Sequence, residues 1–198
     1  MHSKELYEAI RSAMLDKLLN LPADLLYHST FHTLDVEVQA EKIAKAEKMS
    51  NAEDIFLLKV ACLYHDSGFL FTYKDHEVAG CKLAKTALPR FGLNQYQINT
   101  ICGLIIATRI PQTPLTELEK IICDADLDYL GRNDFFPISN NLFLELNARN
   151  MITTEDQWNH IQVIFFKQHR YFTATSKKLR EKQKQKHLGM IEAAIVKK

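Results

Sequence analysis

Six glycines are all that this 198-residue chain contains, and no segment alternates apolar with polar residues at a strand's period of two. Strand-rich folds turn at glycine-containing hairpins, so the two shortages together exclude a sandwich or a barrel. No internal repeat is visible, which removes solenoids. Cysteine is thin as well: Cys62, Cys81, Cys102 and Cys123 each fall in apolar or helical stretches, and none forms a Cys-x-x-Cys pair. That excludes the common zinc-binding spacings and favours reduced thiols packed as small hydrophobes over a disulfide framework. Charge of one sign is also lacking: a net charge of +1 gives no whole-chain attraction to nucleic acid or to an anionic membrane. No apolar run approaches the roughly 20 residues that span a bilayer, and Met1-His2-Ser3-Lys4-Glu5 has no apolar signal core. The expectation is a cytoplasmic protein with neither membrane nor nucleic acid as partner.

What remains is an ordinary globular composition, 46% hydrophobic and 25% charged. The length suits one sizeable core, so residues 1–198 are expected to form a single domain. Apolar residues recur at helical spacing almost throughout, and the fold class is all-α. A first helix over residues 4–20 carries Leu6, Ile10, Met14 and Leu18, and Pro22 stops it. A second over 31–48 places Leu34, Val38, Ala40, Ile43 and Ala44 inward and Glu41, Lys42, Lys45, Glu47 and Lys48 outward. Ser50 with Glu53 reads as a capping box for a third, over 52–66. Asp75 caps a fourth to about Leu88, and Asn94 a fifth to about Thr108. Thr116 with Glu119 opens a sixth towards Leu130, and further helices are expected over 138–149, 154–170 and 175–196. The basic stretch Lys177–His187 has little aromatic interleaving and reads as a solvated helix face.

Against that background, histidines and carboxylates gather at helix ends. Residues 57–68, Leu-Leu-Lys-Val-Ala-Cys-Leu-Tyr-His65-Asp66-Ser-Gly68, form an apolar run that closes on a His-Asp doublet. Adjacent helical residues diverge by about 100°, so both can reach one ion only near a helix terminus. Gly68, as a left-handed cap, is expected to supply that terminus. His28 and His32 lie four apart, Asp75-His76-Glu77 opens the fourth helix, and Cys123-Asp124-Ala125-Asp126-Leu127-Asp128 sets three carboxylates in an apolar segment. Mixed imidazole and carboxylate groups suit a divalent ion. His2, His160, His169 and His187 read as ordinary surface or core residues.

The order His32, His65-Asp66, Asp126 resembles the HD superfamily of metal-dependent phosphohydrolases, whose signature is a His, a His-Asp doublet and a distal Asp on a five-helix core. The resemblance covers about residues 25–135, with helices 136–198 packed on that core or extending from it. It implies a helical bundle in which His32, His65, Asp66 and Asp126 hold a divalent ion, Mn, Fe, Co, Ni, Zn or Mg. The usual Ala-Asp of the distal motif selects Asp126 after Ala125. Asp124 stays as an alternative ligand or as a second-layer or surface carboxylate. Tyr27-His28-x-x-x-His32-x-x-Asp35-Val36 is similar to the opening motif of cyclic-nucleotide phosphodiesterases, in which the earlier His protonates the leaving oxygen. Asp75-His76-Glu77-x-x-Gly80 resembles the fourth-helix segment of two-metal members. The histidine that many of those carry in the fifth helix is missing here, with Thr108 and Arg109 near its place. One tightly held ion follows, with a second near His76 left open, and Glu77 is a candidate to activate water. Arg109, Lys74 and Arg132 are candidates to neutralise phosphate. The expected substrate is a small phosphate monoester or diester, a nucleotide above all; a cyclic-nucleotide phosphodiesterase, a nucleotide- or metal-binding sensor and a purely helical interaction protein are the alternatives.

Overall fold

The structure, a computed structural model, describes residues 4–196; Met1, His2, Ser3, Lys197 and Lys198 lie outside them. Among the described residues there are nine α-helices and no strand: α1 Lys4–Leu18, α2 Thr30–Ala46, α3 Ala52–Tyr64, α4 His76–Ala87, α5 Gln95–Ala107, α6 Glu117–Asp126, α7 Phe135–Ala148, α8 Glu155–Gln168 and α9 Ala174–Val196. None of them is long and apolar enough to cross a membrane. The all-α expectation holds helix for helix. α3 is the axis: Phe56, Leu57, Leu58, Val60, Ala61, Cys62, Leu63 and Tyr64 are all buried, as a helix apolar on every side must be. Its one lysine stays near the surface, with Lys59 Nζ 2.5 Å from a Glu41 carboxylate oxygen and 4.2 Å above the Tyr7 ring. α1, α2, α4, α5 and α6 surround it and share one apolar core. A second core joins Tyr27, Leu127, Tyr129, Leu130, Phe135, Phe166, Leu188 and Ile191, and so lays α7, α8 and α9 against the end of α6.

Caps set most helix starts. Asn94 and Gln97 form a reciprocal capping box on α5, as do Thr116 and Glu119 on α6. Three local expectations need correction. The cap of α3 is Asn51, which accepts from Glu53 N at 2.9 Å and Asp54 N at 3.3 Å; Ser50 lies one residue too early. Asp75 holds the capping position of α4 in a left-handed conformation, but its side chain makes no cap bond and turns to Arg109. On α2 the buried face is rotated: Val36 and Glu37 point inward and Val38 is exposed. Glu37 tolerates burial because Tyr7 Oη and Arg11 Nε donate to it.

Gly68 is the fourth correction. It sits in a 3₁₀ turn, Ser67–Leu70, and only Gly92 among the described glycines has positive φ. Its role is close approach: a Cβ there would lie 1.8 Å from the His76 carbonyl oxygen, and one on Gly80 would lie 3.0 Å from that of Tyr64. Two missing side chains let the start of α4 press onto the turn that follows α3. Helix termini carrying histidines and carboxylates are thereby brought together.

Candidate metal centre and its cavity

α3 ends at Tyr64, His65 keeps helical dihedrals as its cap, and Asp66 leaves the helix at φ −100°, ψ 1°. The doublet thus straddles a helix terminus, as the divergence of neighbouring side chains demands. His32 comes from the first turn of α2, whose cap Ser29 accepts from the His32 amide. Asp126 is the last residue of α6 and His76 the first of α4. His32 Nε2 lies 3.1 Å from Asp126 Oδ1, 3.4 Å from His65 Nε2 and 3.5 Å from Asp66 Oδ2. His65 Nε2 lies 3.1 Å from Asp66 Oδ2 and 3.6 Å from Asp126 Oδ1. Such spacings, 3.1–3.6 Å, are close to the edges of about 3.0–3.4 Å that a polyhedron around an ion held at about 2.1 Å would have.

The donor chemistry fits a cation independently. His65 Nδ1 donates to the Cys62 carbonyl at 2.8 Å, so in the neutral ring Nε2 presents a lone pair. That lone pair faces a carboxylate oxygen, Asp66 Oδ2, which is buried and has no hydrogen-bond partner. Two acceptors face each other only with a positive charge between them. Protons alone make up the deficit as follows: burial lowers the His65 pKa, but Asp66 and Asp126 outweigh it and bring the ring up to about 9. Burial likewise raises Asp66, and His65, His76 and His28 overcome it, holding that carboxyl well below the ordinary range.

Asp66 also faces the second candidate position. Its Oδ1 lies 3.4 Å from His76 Nε2, and the His76 ring stacks on Phe69 at 3.9 Å between centroids. Glu77 is buried, 3.7 Å from His76 and 3.4 Å from Arg109 Nε, so the arginine stands at the rim holding both Glu77 and Asp75. Of the other cations considered, Arg132 is committed to Asp35, Asp128 and Asp134. Asp124 does not join the cluster. Fully buried, it accepts from Phe172 N, Thr173 N and Thr173 Oγ1 at 2.7–2.8 Å and so secures the segment that enters α9. The reading of Asp124 as a surface carboxylate or alternative ligand gives way to that role, since its oxygens are already satisfied.

His28 sits just before α2, beside the cluster. Its Nδ1 lies 2.5 Å from Glu145 Oε1 on α7, and its ring packs on Phe69 at 4.2 Å, which leaves Nε2 as the ring nitrogen free for a substrate. Glu145 is fully buried and also accepts from Tyr27 N at 3.0 Å, His28 N at 3.1 Å and Tyr73 Oη at 3.0 Å. Burial raises its pKa, but the bonds from His28 and Tyr27 prevail and lower it. Sequence reasoning missed Glu145. The available signal was an acid at core position in the stripe Ile138, Leu142, Glu145, Leu146. It also missed Gln112, whose amide donates to Asp126 Oδ2 at 3.3 Å.

From His28, Asp66, His76 and Asp126 a cavity of about 510 Å³ runs between α6, α7 and α8. Its outer wall includes Leu142, Leu146, Trp158 and Phe165. An all-α bundle that gathers a His, a His-Asp doublet and a distal Asp at three helix ends around such a cavity defines a helical histidine–aspartate fold. The chain belongs to the HD superfamily, a family of metal-dependent hydrolases: the HD domain model matches residues 31–128. Solved structures agree on the fold. A predicted HD superfamily hydrolase from an uncultured Thermotogales bacterium is 21% identical with a TM-score of 0.61, covering 96% of this chain and 91% of its own. A Lactobacillus plantarum protein is 15% identical with a TM-score of 0.67, covering 100% of both chains. No curated protein matches the chain significantly.

Proposed function

We propose that the protein hydrolyses a phosphate ester of a nucleotide, with the ester at the His32, His65, Asp66, Asp126 cluster and its leaving group beside His28. The observation that carries this is the convergence of those four side chains at one end of the cavity that His28 also lines. A divalent ion bound there supplies acidified water and charge neutralisation for a phosphoryl oxygen. His28 Nε2 gives the proton that an alkoxide needs in order to leave, while Glu145 holds Nδ1 and fixes the ring's orientation. Arg109 offers its remaining N–H groups to phosphate at the rim, where Glu77 anchors it. The apolar wall keeps bulk water from the reacting end. Asp66, placed between the His32–His65 pair and His76, is the group that would serve a second ion.

The test is a panel of nucleoside phosphates with protein first stripped by chelator and then reloaded with Mn, Co, Zn or Mg. Hydrolysis should vanish on stripping and return with at least one ion, alongside about one tightly held equivalent by elemental analysis. Hydrolysis unaffected by full stripping would overturn the reading.

A further inference from the structure

We infer that Cys81 on α4 and Cys102 on α5 form a redox-active pair that closes into a disulfide under a peroxide and so ties the two helices together. Neither residue belongs to the candidate metal centre, so the inference is independent of the nucleotide reading. All four cysteines are free, but they are of two kinds. Cys62 and Cys123 are 0% exposed, and Cys123 Sγ donates to the Ala107 carbonyl at 3.0 Å. Cys81 and Cys102 keep 7% and 8% exposure, which leaves a thin opening for an oxidant little larger than water. Their contact is reciprocal: Cys81 Sγ lies 3.5 Å from the Cys102 carbonyl oxygen, and Cys102 Sγ lies 3.7 Å from that of Cys81. Each sulfur thus points across the α4–α5 contact at the other residue, and the two thiols hydrogen-bond to one another. Side chains that face each other across packed backbone are the arrangement a disulfide requires. The bond between the thiols, helped by the Lys85 ammonium, outweighs burial and lowers the Cys102 thiol to about 7; the same bond, together with burial, pushes the Cys81 thiol up. Cys102 is therefore the nucleophile and Cys81 the resolving thiol.

The chemistry balances with hydrogen peroxide as the oxidant. The Cys102 thiolate attacks one peroxide oxygen, the O–O bond breaks, and hydroxide leaves Cys102 as a sulfenic acid. Cys81 then gives up its proton and attacks the Cys102 sulfur; the S–S bond forms, the S–O bond breaks, and the departing hydroxide takes the proton as water. Two electrons pass from the thiols to the peroxide. The test treats the reduced protein with hydrogen peroxide, then quenches, unfolds, alkylates and digests it with trypsin for mass spectrometry. The product should be two hydrogens lighter and monomeric on a non-reducing gel. Peptide 75–82, which holds Cys81, should be joined to peptide 91–109, which holds Cys102, with Cys62 and Cys123 alkylated and dithiothreitol reversing the link. Circular dichroism before quenching should show the helix content unchanged, which assigns the reaction to the folded chain. Cys102→Ser should slow the loss of alkylatable thiol at Cys81 at least roughly tenfold, since the more reactive thiolate is gone. Cys81→Ser should still consume the Cys102 thiol and end in a sulfenic or sulfinic acid with no link. Both thiols remaining alkylatable in the folded protein, a link that includes Cys62 or Cys123, linkage only between chains, or linkage only after helix is lost would each overturn the inference.

Discussion

The end of α3 and the α7–α9 layer bury polar groups in different ways. At the end of α3 a carboxylate oxygen and an imidazole nitrogen lie 3.1 Å apart and need a positive charge, proton or ion, between them. In the outer layer the buried charges have protein partners, although single atoms there, Asp128 Oδ2, His169 Nε2 and Ser176 Oγ, keep no hydrogen bond. Asp124 accepts three hydrogen bonds, Lys184 donates to the His169 carbonyl at 2.9 Å, and Arg180 pairs with Asp128 at 2.8 Å. The Lys177–His187 stretch, expected as a solvated face, in fact buries Lys184 and His187. His187 packs its ring on Phe135 and donates to the Leu130 carbonyl at 2.9 Å. The lesson is that a single buried atom without a hydrogen bond marks no site, since both regions hold some; what sets the end of α3 apart is that several ligand-type atoms converge on one point.

The sharpest way to break that contrast is to delete one group from each region. His65→Ala or Asp66→Ala should abolish metal retention and hydrolysis, because each removes a donor from a small set; a full metal equivalent in both variants would refute the assignment. Asp126→Asn should likewise lose metal and activity. Asp124→Asn should keep its metal and instead lose about 1–3 kcal/mol of stability, the cost of disturbing a buried, bonded carboxylate. Metal analysis beside urea unfolding separates the two, and the reverse order would exchange their roles.

Next in size is the acid. His28→Ala should keep its metal while kcat on a nucleoside ester falls roughly 10²- to 10⁴-fold. On p-nitrophenyl phosphate, whose leaving group hardly needs a proton, the variant should remain nearly normal. Equal losses on both esters would remove His28 from the role. Gly68→Ala forces a methyl into the 1.8 Å gap to the His76 carbonyl, and unfolding curves should show about 1–3 kcal/mol lost, the usual cost of overpacking.

The smallest effect belongs to the outer layer and depends on pH. Burial, with Lys184 alongside, lowers the His169 pKa to about 3. The folded form therefore prefers the neutral ring, and the unfolded chain binds the extra proton. Stability from this group is complete above about 6.5 and falls with acidification towards 3, by at most about 1.4 kcal/mol per pH unit. Urea midpoints of His169→Gln should consequently decline less steeply than wild type between those values. Parallel pH courses would show that His169 carries no such linkage.

How much was legible in the sequence follows from distance along the chain. Helix periods, the caps at Asn94, Thr116 and Thr154, and the doublet at the end of α3 depend on residues within a turn or two, so spacing reveals them. His32, His65, Asp66 and Asp126 were visible as a set because their order resembles a known signature. Glu145 was not, since its partners Tyr27 and His28 lie 118 and 117 residues away and only the packing of α7 brings them together. Asp124 escaped for the same reason, its partners being 48 and 49 residues on. Gly68 was correctly singled out for the wrong cause: a glycine reads the same whether it frees a dihedral or makes room for a neighbour.

The bond from Glu145 to His28 has a consequence for how the molecule comes into being. Every candidate ligand has been synthesised by residue 126, while the clamp for the acid arrives only with α7 and the far wall of the cavity with α8. A nascent chain complete through α6 would own its chelating groups and lack its proton donor's brace. On the proposed reading, ion capture would precede competence, and the last helices would complete a centre whose candidate ligands are already in place.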